Sequence, residues 1–151
     1  MSNRGAPTVL IIQPHLGQLA GFLVGTYEVL LAWESPTRAA LDRVGAIIVT
    51  GEFALDKALI ETLPGLKLVA CFSSGHDRID VDWCRARGLP VTHAPGVNHE
   101  DVADHALGLI LAARRHIVAG DRLIRQNGWT ADTRMIVPAL KGETLGIVGL
   151  G

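Results

Sequence analysis

Five short apolar runs alternate with stretches of helical character through the first two thirds of the chain, and this alternation limits the fold more than any other feature. Residues 8–13 form an unbroken apolar run that ends at Pro14, as a strand covered on both faces of a parallel sheet would. A helix is expected over 16–24, weakened by Gly17 and Gly21, then a strand over 27–33 and a helix over 36–43 capped by Ser35. A third strand follows at 46–50, a helix at 55–63 closed by Pro64 and Gly65, and a fourth strand at 66–72. After a polar loop at 73–78, Asp80 caps a short helix running to Arg87 and stopped by Gly88, and 90–93 is the fifth strand. The pattern predicts an α/β fold, a parallel sheet with helices on both faces, which binds ligands at the C-terminal ends of its strands. The loops at that edge are residues 14–15, 51–53, 73–76 and 94–98.

Residues 98–128 read as one long helix. Asn98 can accept from the free N–H groups of its first turn, and Glu100 and Asp101 place negative charge at the positive end of the dipole. Val102, Ala106, Leu109, Ile110, Ala113 and Ile117 line one face, while Leu107 and Leu111 cover the other, so the helix must be buried on more than one side. Arg122 and Arg125 suit its C-terminal end, and Gly128 can supply the left-handed residue that stops it. Roughly 29 helical residues would span about 43 Å, enough to connect two units. Beyond an irregular arm at 129–140, the chain closes on GETLGIVGLG: a turn, a strand at 144–148, and glycines at 149 and 151. A strand running into G-x-G is the opening half of a dinucleotide fingerprint, here without its third glycine, as in a Rossmann domain that has been started and cut off.

Hydrophobic residues make up 48% of the chain and aromatics 5%, a balance that suits Val, Ile and Leu strands. A net charge of −1 gives no electrostatic reason to expect nucleic acid or an anionic membrane. The run at 9–12 is too short to span a bilayer, and Cys71 and Cys84 form neither a metal pair nor a disulfide framework, so a soluble cytoplasmic protein is expected. The histidines do not make a zinc site, because His99 and His105 are six apart where H-E-x-x-H needs four. Asp101 and His105 are ordinary helix neighbours, and Cys71 on a strand reads as inert packing. G-x-S-x-G is absent, and the adjacent Ser73, Ser74, His76 and Asp77 cannot adopt triad geometry.

Two stretches, LPGLKLVACFSSGHDRIDVDWCRARGLPVTHAPGVNHEDVADHALGLILAARR and KGETLGIVGLG, resemble the D-isomer-specific 2-hydroxyacid dehydrogenases. The likeness covers residues 63–151 and is closest in look to the glyoxylate/hydroxypyruvate reductases, through Val102-Ala103-Asp104 and the arginine-rich approach to Gly128 and Trp129. It implies a flavodoxin-like substrate domain over 1–97 and the start of a Rossmann domain over 98–151, cut after the second fingerprint glycine. Ser73, Ser74 and Gly75 match the loop whose backbone N–H groups hold the substrate carboxylate, and such a loop is a physically reasonable anion site. The local alternative has Gly75 shaping a turn, with Asp77 and Asp80 bonding nearby backbone.

Gly149, Leu150 and Gly151 match the start of the NAD or NADP fingerprint. His99 opens the long helix on the nicotinamide side, where a solvent-facing helix-start residue is the simpler account. The implied reaction is hydride transfer between NAD(P)H and C2 of a small 2-oxo acid, giving the D-2-hydroxy acid. The family's catalytic Arg, His and Glu lie beyond the fingerprint glycines, so none maps onto this chain, and the 151 residues alone are expected to be inactive. A homodimer through the long helix and the Trp129 arm would cover the helix's second apolar face. Glu52 and Phe53 are candidates to line the pocket. The competing reading is a small-carboxylate-binding or regulatory module without catalysis, in which 144–148 would be a strand with no sheet of its own.

Overall fold

A computed structural model of the chain describes residues 5–149. They form two compact units that divide between Val97 and Asn98. The first is a five-stranded, all-parallel sheet built from β1 (Thr8–Ile11), β2 (Glu28–Leu31), β3 (Val44–Val49), β4 (Leu68–Cys71) and β5 (Val91–Thr92). Their order is β2-β1-β3-β4-β5. Every residue of β1 is buried, as expected of an apolar run between two neighbours. Leu10 pairs with Ile47, and Ile47 with Val69, so three side chains at most 1% exposed lie side by side across the sheet's centre. Val44, Val49, Ile60, Leu63, Ile79 and Leu89 extend this core. Cys84 is fully buried within it, and burial pushes its thiol pKa up, which makes it a packing residue and not a nucleophile.

The helices of this unit are short: α1 (Ala20–Leu23), α2 (Arg38–Leu41), α3 (Lys57–Glu61) and α4 (Val81–Ala86). The helix expected over 16–24 is instead a 3₁₀ segment, Pro14–Leu19, leading into the single turn of α1. Ser35 does not cap α2. It adopts φ 53°, a left-handed conformation, and closes the Ala32–Glu34 turn instead. The cap is Thr37, whose hydroxyl accepts from Ala40 N–H at 3.3 Å. Asp56 caps α3 in the same way. Asp80 caps α4 as the sequence indicates, accepting from Trp83 N–H at 2.9 Å and from Lys57 Nζ at 2.6 Å.

On the edge strand β2, Glu28 accepts from Arg43 Nη2 at 2.6 Å and from Thr8 Oγ1 at 2.8 Å. The Arg43 and Thr8 hydrogen bonds hold its carboxyl below the usual carboxylate range. A carboxylate with a depressed folded-state pKa contributes stability above its unfolded pKa and loses it as pH falls through the folded value. Glu28→Gln should therefore flatten the acid limb of a denaturant-midpoint profile between about pH 5 and pH 2. An unchanged acid limb would remove Glu28 from that account.

The second unit contains α5 (His99–Arg114) and α6 (Ile117–Arg125), not one helix over 98–128. The rod breaks at His116, which takes φ 52°, a left-handed conformation that histidine tolerates better than most residues. Asn98 occupies the N-cap position of α5, but its side chain does not make the capping bond. The chain leaves α6 through Asn127, at φ 51°, so the left-handed stop falls one residue before Gly128. The break allows α6 to meet the following arm, where Gly120 faces Met135 Cε. Residues 144–148 carry no ladder pairing among the described residues. Among those residues no helix is long and apolar enough to cross a membrane, and no group of three metal-ligating side chains occurs.

Candidate functional site

In the order β2-β1-β3-β4-β5 the strand order reverses at β1, with β2 added on one side and β3 on the other, and the loops leaving β1 and β3 flank the crevice where open α/β sheets bind ligands. Gln13 closes that crevice from the β1 side, its side-chain oxygen accepting from Thr50 N–H at 3.2 Å. Beside it, the β3 exit at Gly51 meets the β4 exit at Ser73–His76. A Cβ on Gly51 would lie 2.0 Å from Gly75 O and 2.6 Å from His76 Cα, so the two backbones are in direct contact and only glycine fits.

Ser73 ties this junction together. Its hydroxyl accepts from Gly51 N–H at 2.9 Å and donates to Gly75 O at 2.8 Å. The buried Cys71 Sγ lies 3.2 Å from the same hydroxyl. The Ser73 side chain is therefore committed to shaping the loop. Ser74 Oγ donates to Ala94 O at 3.0 Å, and two further bonds join the loop to the β5 exit. Ala94 N–H donates to Ser73 O at 3.1 Å, and His93 Nδ1 donates to Ser74 O at 3.0 Å. The carbonyls of residues 73 and 74 thus face β5. With no cis peptide among the described residues, the N–H groups of Ser74 and Gly75 are directed oppositely to those carbonyls. Successive N–H groups turned the same way form a concave anion-binding surface.

Aromatic rings stand around this edge: His15 and Phe53 at 5.9 Å between centroids, and His76 and His93 at 4.6 Å. Phe53 is half exposed and Glu52 is exposed. Asp80 engages local backbone, as the simpler account of this region requires. In the second unit, His99 is the first residue of α5. Gly149 has φ 85° and open space where a Cβ would stand. Leu150 and Gly151 lie outside the described residues.

The sequence places residues 73–75 and 51–53 in loops at the same edge, but does not show that Gly51 and His93 hold the 73–75 loop or that Gln13 reaches Thr50. A glycine immediately after a strand, at the edge where ligands bind, was the available signal for Gly51.

Residues 13–145 match the D-isomer specific 2-hydroxyacid dehydrogenase, catalytic domain. Glyoxylate/hydroxypyruvate reductase A of Arabidopsis thaliana is 35% identical over 148 residues, a match covering 95% of this chain and 47% of that protein. A glyoxylate reductase of Thermofilum pendens is 41% identical over 100 residues, covering 64% of this chain and 30% of the relative. The NADPH-dependent glyoxylate/hydroxypyruvate reductase of Sinorhizobium meliloti, solved with NADP and malonate, superimposes with a TM-score of 0.75 at 30% identity, over 96% of this chain and 46% of that one. The chain spans about half the length of these fuller matches. The parallel sheet, the loop at its C-terminal edge and a match running through both units agree, and the chain belongs to the D-isomer specific 2-hydroxyacid dehydrogenase family.

Proposed function

We propose that the first unit binds the carboxylate of a small 2-oxo acid through the N–H groups of Ser74 and Gly75, as the substrate domain (1–97) of an NAD(P)-dependent reductase. Acids like glyoxylate and hydroxypyruvate would be reduced to D-2-hydroxy acids. The observation that carries this reading is the pinning of both loop carbonyls to the β5 exit, which turns two adjacent N–H groups to the opposite side. Ser73 acts within the loop, holding Gly51 and Gly75 together.

Residues 98–151 would begin the cofactor domain, with Gly149, Leu150, Gly151 and His99 toward the dinucleotide. Gly149 fits that role, since its positive φ and open Cβ position suit a tight turn with a phosphate close to the backbone. The nicotinamide, when bound, supplies the hydride. On this reading the catalytic Arg, His and Glu that the family resemblance implies would lie outside these 151 residues, and the chain alone would consume no reduced nicotinamide. A homodimer through α5, α6 and the Trp129 arm is supported by the exposure of Val102, Leu109, Ile117, Ile124 and Trp129. A cytoplasmic location is supported by two cysteines that are both free.

The test is a ¹H–¹⁵N titration of the chain with glyoxylate and with its neutral amide. The acid should shift the Ser74 and Gly75 amide resonances saturably while the amide does not. Equal responses, or no response at residues 74–75, would remove the carboxylate site. Turnover of glyoxylate by this chain would overturn the assignment of catalysis to residues outside it.

A further inference from the structure

We propose that His93 is a positioning residue that selects the orientation of the Ser74–Gly75 peptide, and so decides whether the Gly75 N–H faces the substrate carboxylate. The inference rests on the carboxylate reading above.

The Ser74 carbonyl and the Gly75 N–H belong to one planar trans peptide, so fixing one end fixes the other. Glycine allows the ligand to approach closely, but it also enters the positive-φ region at little cost, which makes a flip of this peptide inexpensive. A flipped peptide would present a carbonyl to an anion. Against that alternative stands the bond from His93 Nδ1 to Ser74 O at 3.0 Å. The neighbouring peptide is held differently: Ser73 O accepts from the backbone N–H of Ala94, a donor that any residue except proline supplies. Of these two peptides, 74–75 is the one whose carbonyl is held by the ring of His93.

The His93 ring is itself braced by His76, with centroids 4.6 Å apart and planes inclined at 48°. Donation to a carbonyl requires Nδ1 to carry the proton, a tautomer this contact favours. His93 is exposed, so replacing it leaves the buried core intact.

Two substitutions separate the donor from the ring. In His93→Asn, Nδ2 hangs from Cγ as Nδ1 does in histidine, so the donor stays while the ring and its stacking are lost. In His93→Phe the ring stays and the donor is lost. Glyoxylate affinity, read from the Gly75 amide resonance, should fall about tenfold in His93→Phe, the effect of one lost hydrogen bond, and remain near wild type in His93→Asn. Equal affinity of wild type and His93→Phe, or weakening in His93→Asn as large as in His93→Phe, would overturn the positioning role. In either case saturable binding by the wild type would leave the carboxylate reading standing. Absence of saturable binding by the wild type would remove both.

Discussion

Alanine at position 51 is expected to lower the stability of the first unit by about 2–3 kcal/mol and to abolish saturable glyoxylate binding, although it adds a single methyl group. That methyl would lie 2.0 Å from Gly75 O and 2.6 Å from both Gly75 C and His76 Cα. These obstacles are backbone atoms, so no side-chain rotation relieves the collision. The β4 exit must move, and its movement breaks the contacts from Gly51 N–H to Ser73 Oγ and from Ser73 Oγ to Gly75 O. Gly51 does not have a positive φ, so the cost is steric overlap and not backbone strain. Chemical denaturation and the glyoxylate titration measure the two effects. Wild-type values in both would mean that residues 73–76 shift freely, contrary to a preformed loop.

Ile47→Ala should cost more stability and leave the site alone. Ile47 is fully buried in β3, with Leu10 on one side and Val69 on the other, and removing its branched side chain leaves a cavity between the two central strand pairs. A loss of about 3–4 kcal/mol follows, a large part of the roughly 5–15 kcal/mol that holds a domain together. Its lining is made of close-packed neighbours on both sides, which limits how far the cavity can collapse. Under conditions where the variant is still folded, its glyoxylate affinity should equal wild type, because Ile47 makes none of the loop's hydrogen bonds. A loss under 1 kcal/mol would show that the core closes over the gap, and a parallel loss of affinity would couple the loop to the core.

These two residues also mark what could be read in the chain before its structure. The apolar run around Ile47 announces a buried strand by itself, because burial on both faces leaves the same trace wherever the strand sits in the sheet. Gly51 carries no such trace. Its role depends on β4 lying next to β3, and neighbour relations in a parallel sheet belong to its topology. His93 is hidden for the same reason: β5 must be placed beside β4 before its exit can touch the Ser74 carbonyl.

Local signals succeeded where the cause was local, as with Asp80 capping α4. They failed where two adjacent candidates competed. Thr37 takes the cap assigned to Ser35, which is used to close the preceding turn, and Asn127 makes the left-handed stop assigned to Gly128. The break at His116 follows no helix-breaking residue. A left-handed non-glycine conformation costs on the order of 1 kcal/mol, a cost that packing elsewhere offsets and that helical periodicity cannot reveal.

β5 contributes only two residues to the ladder, Val91 opposite Val69 and Thr92 opposite Ala70, and it lies at the sheet's edge. Strand ends with so few pairings open at free energies far below that of global unfolding. The next residues in the chain, His93 and Ala94, hold the carbonyls of Ser74 and Ser73. Detachment of this margin would release both peptides while β2, β1, β3 and β4 remain paired around the core. If Ser74 and Gly75 hold a carboxylate as proposed, acid binding and fraying of the last strand would be opposing branches of one equilibrium: the bound acid would draw population from the frayed state, and its affinity would include the work of keeping β5 closed.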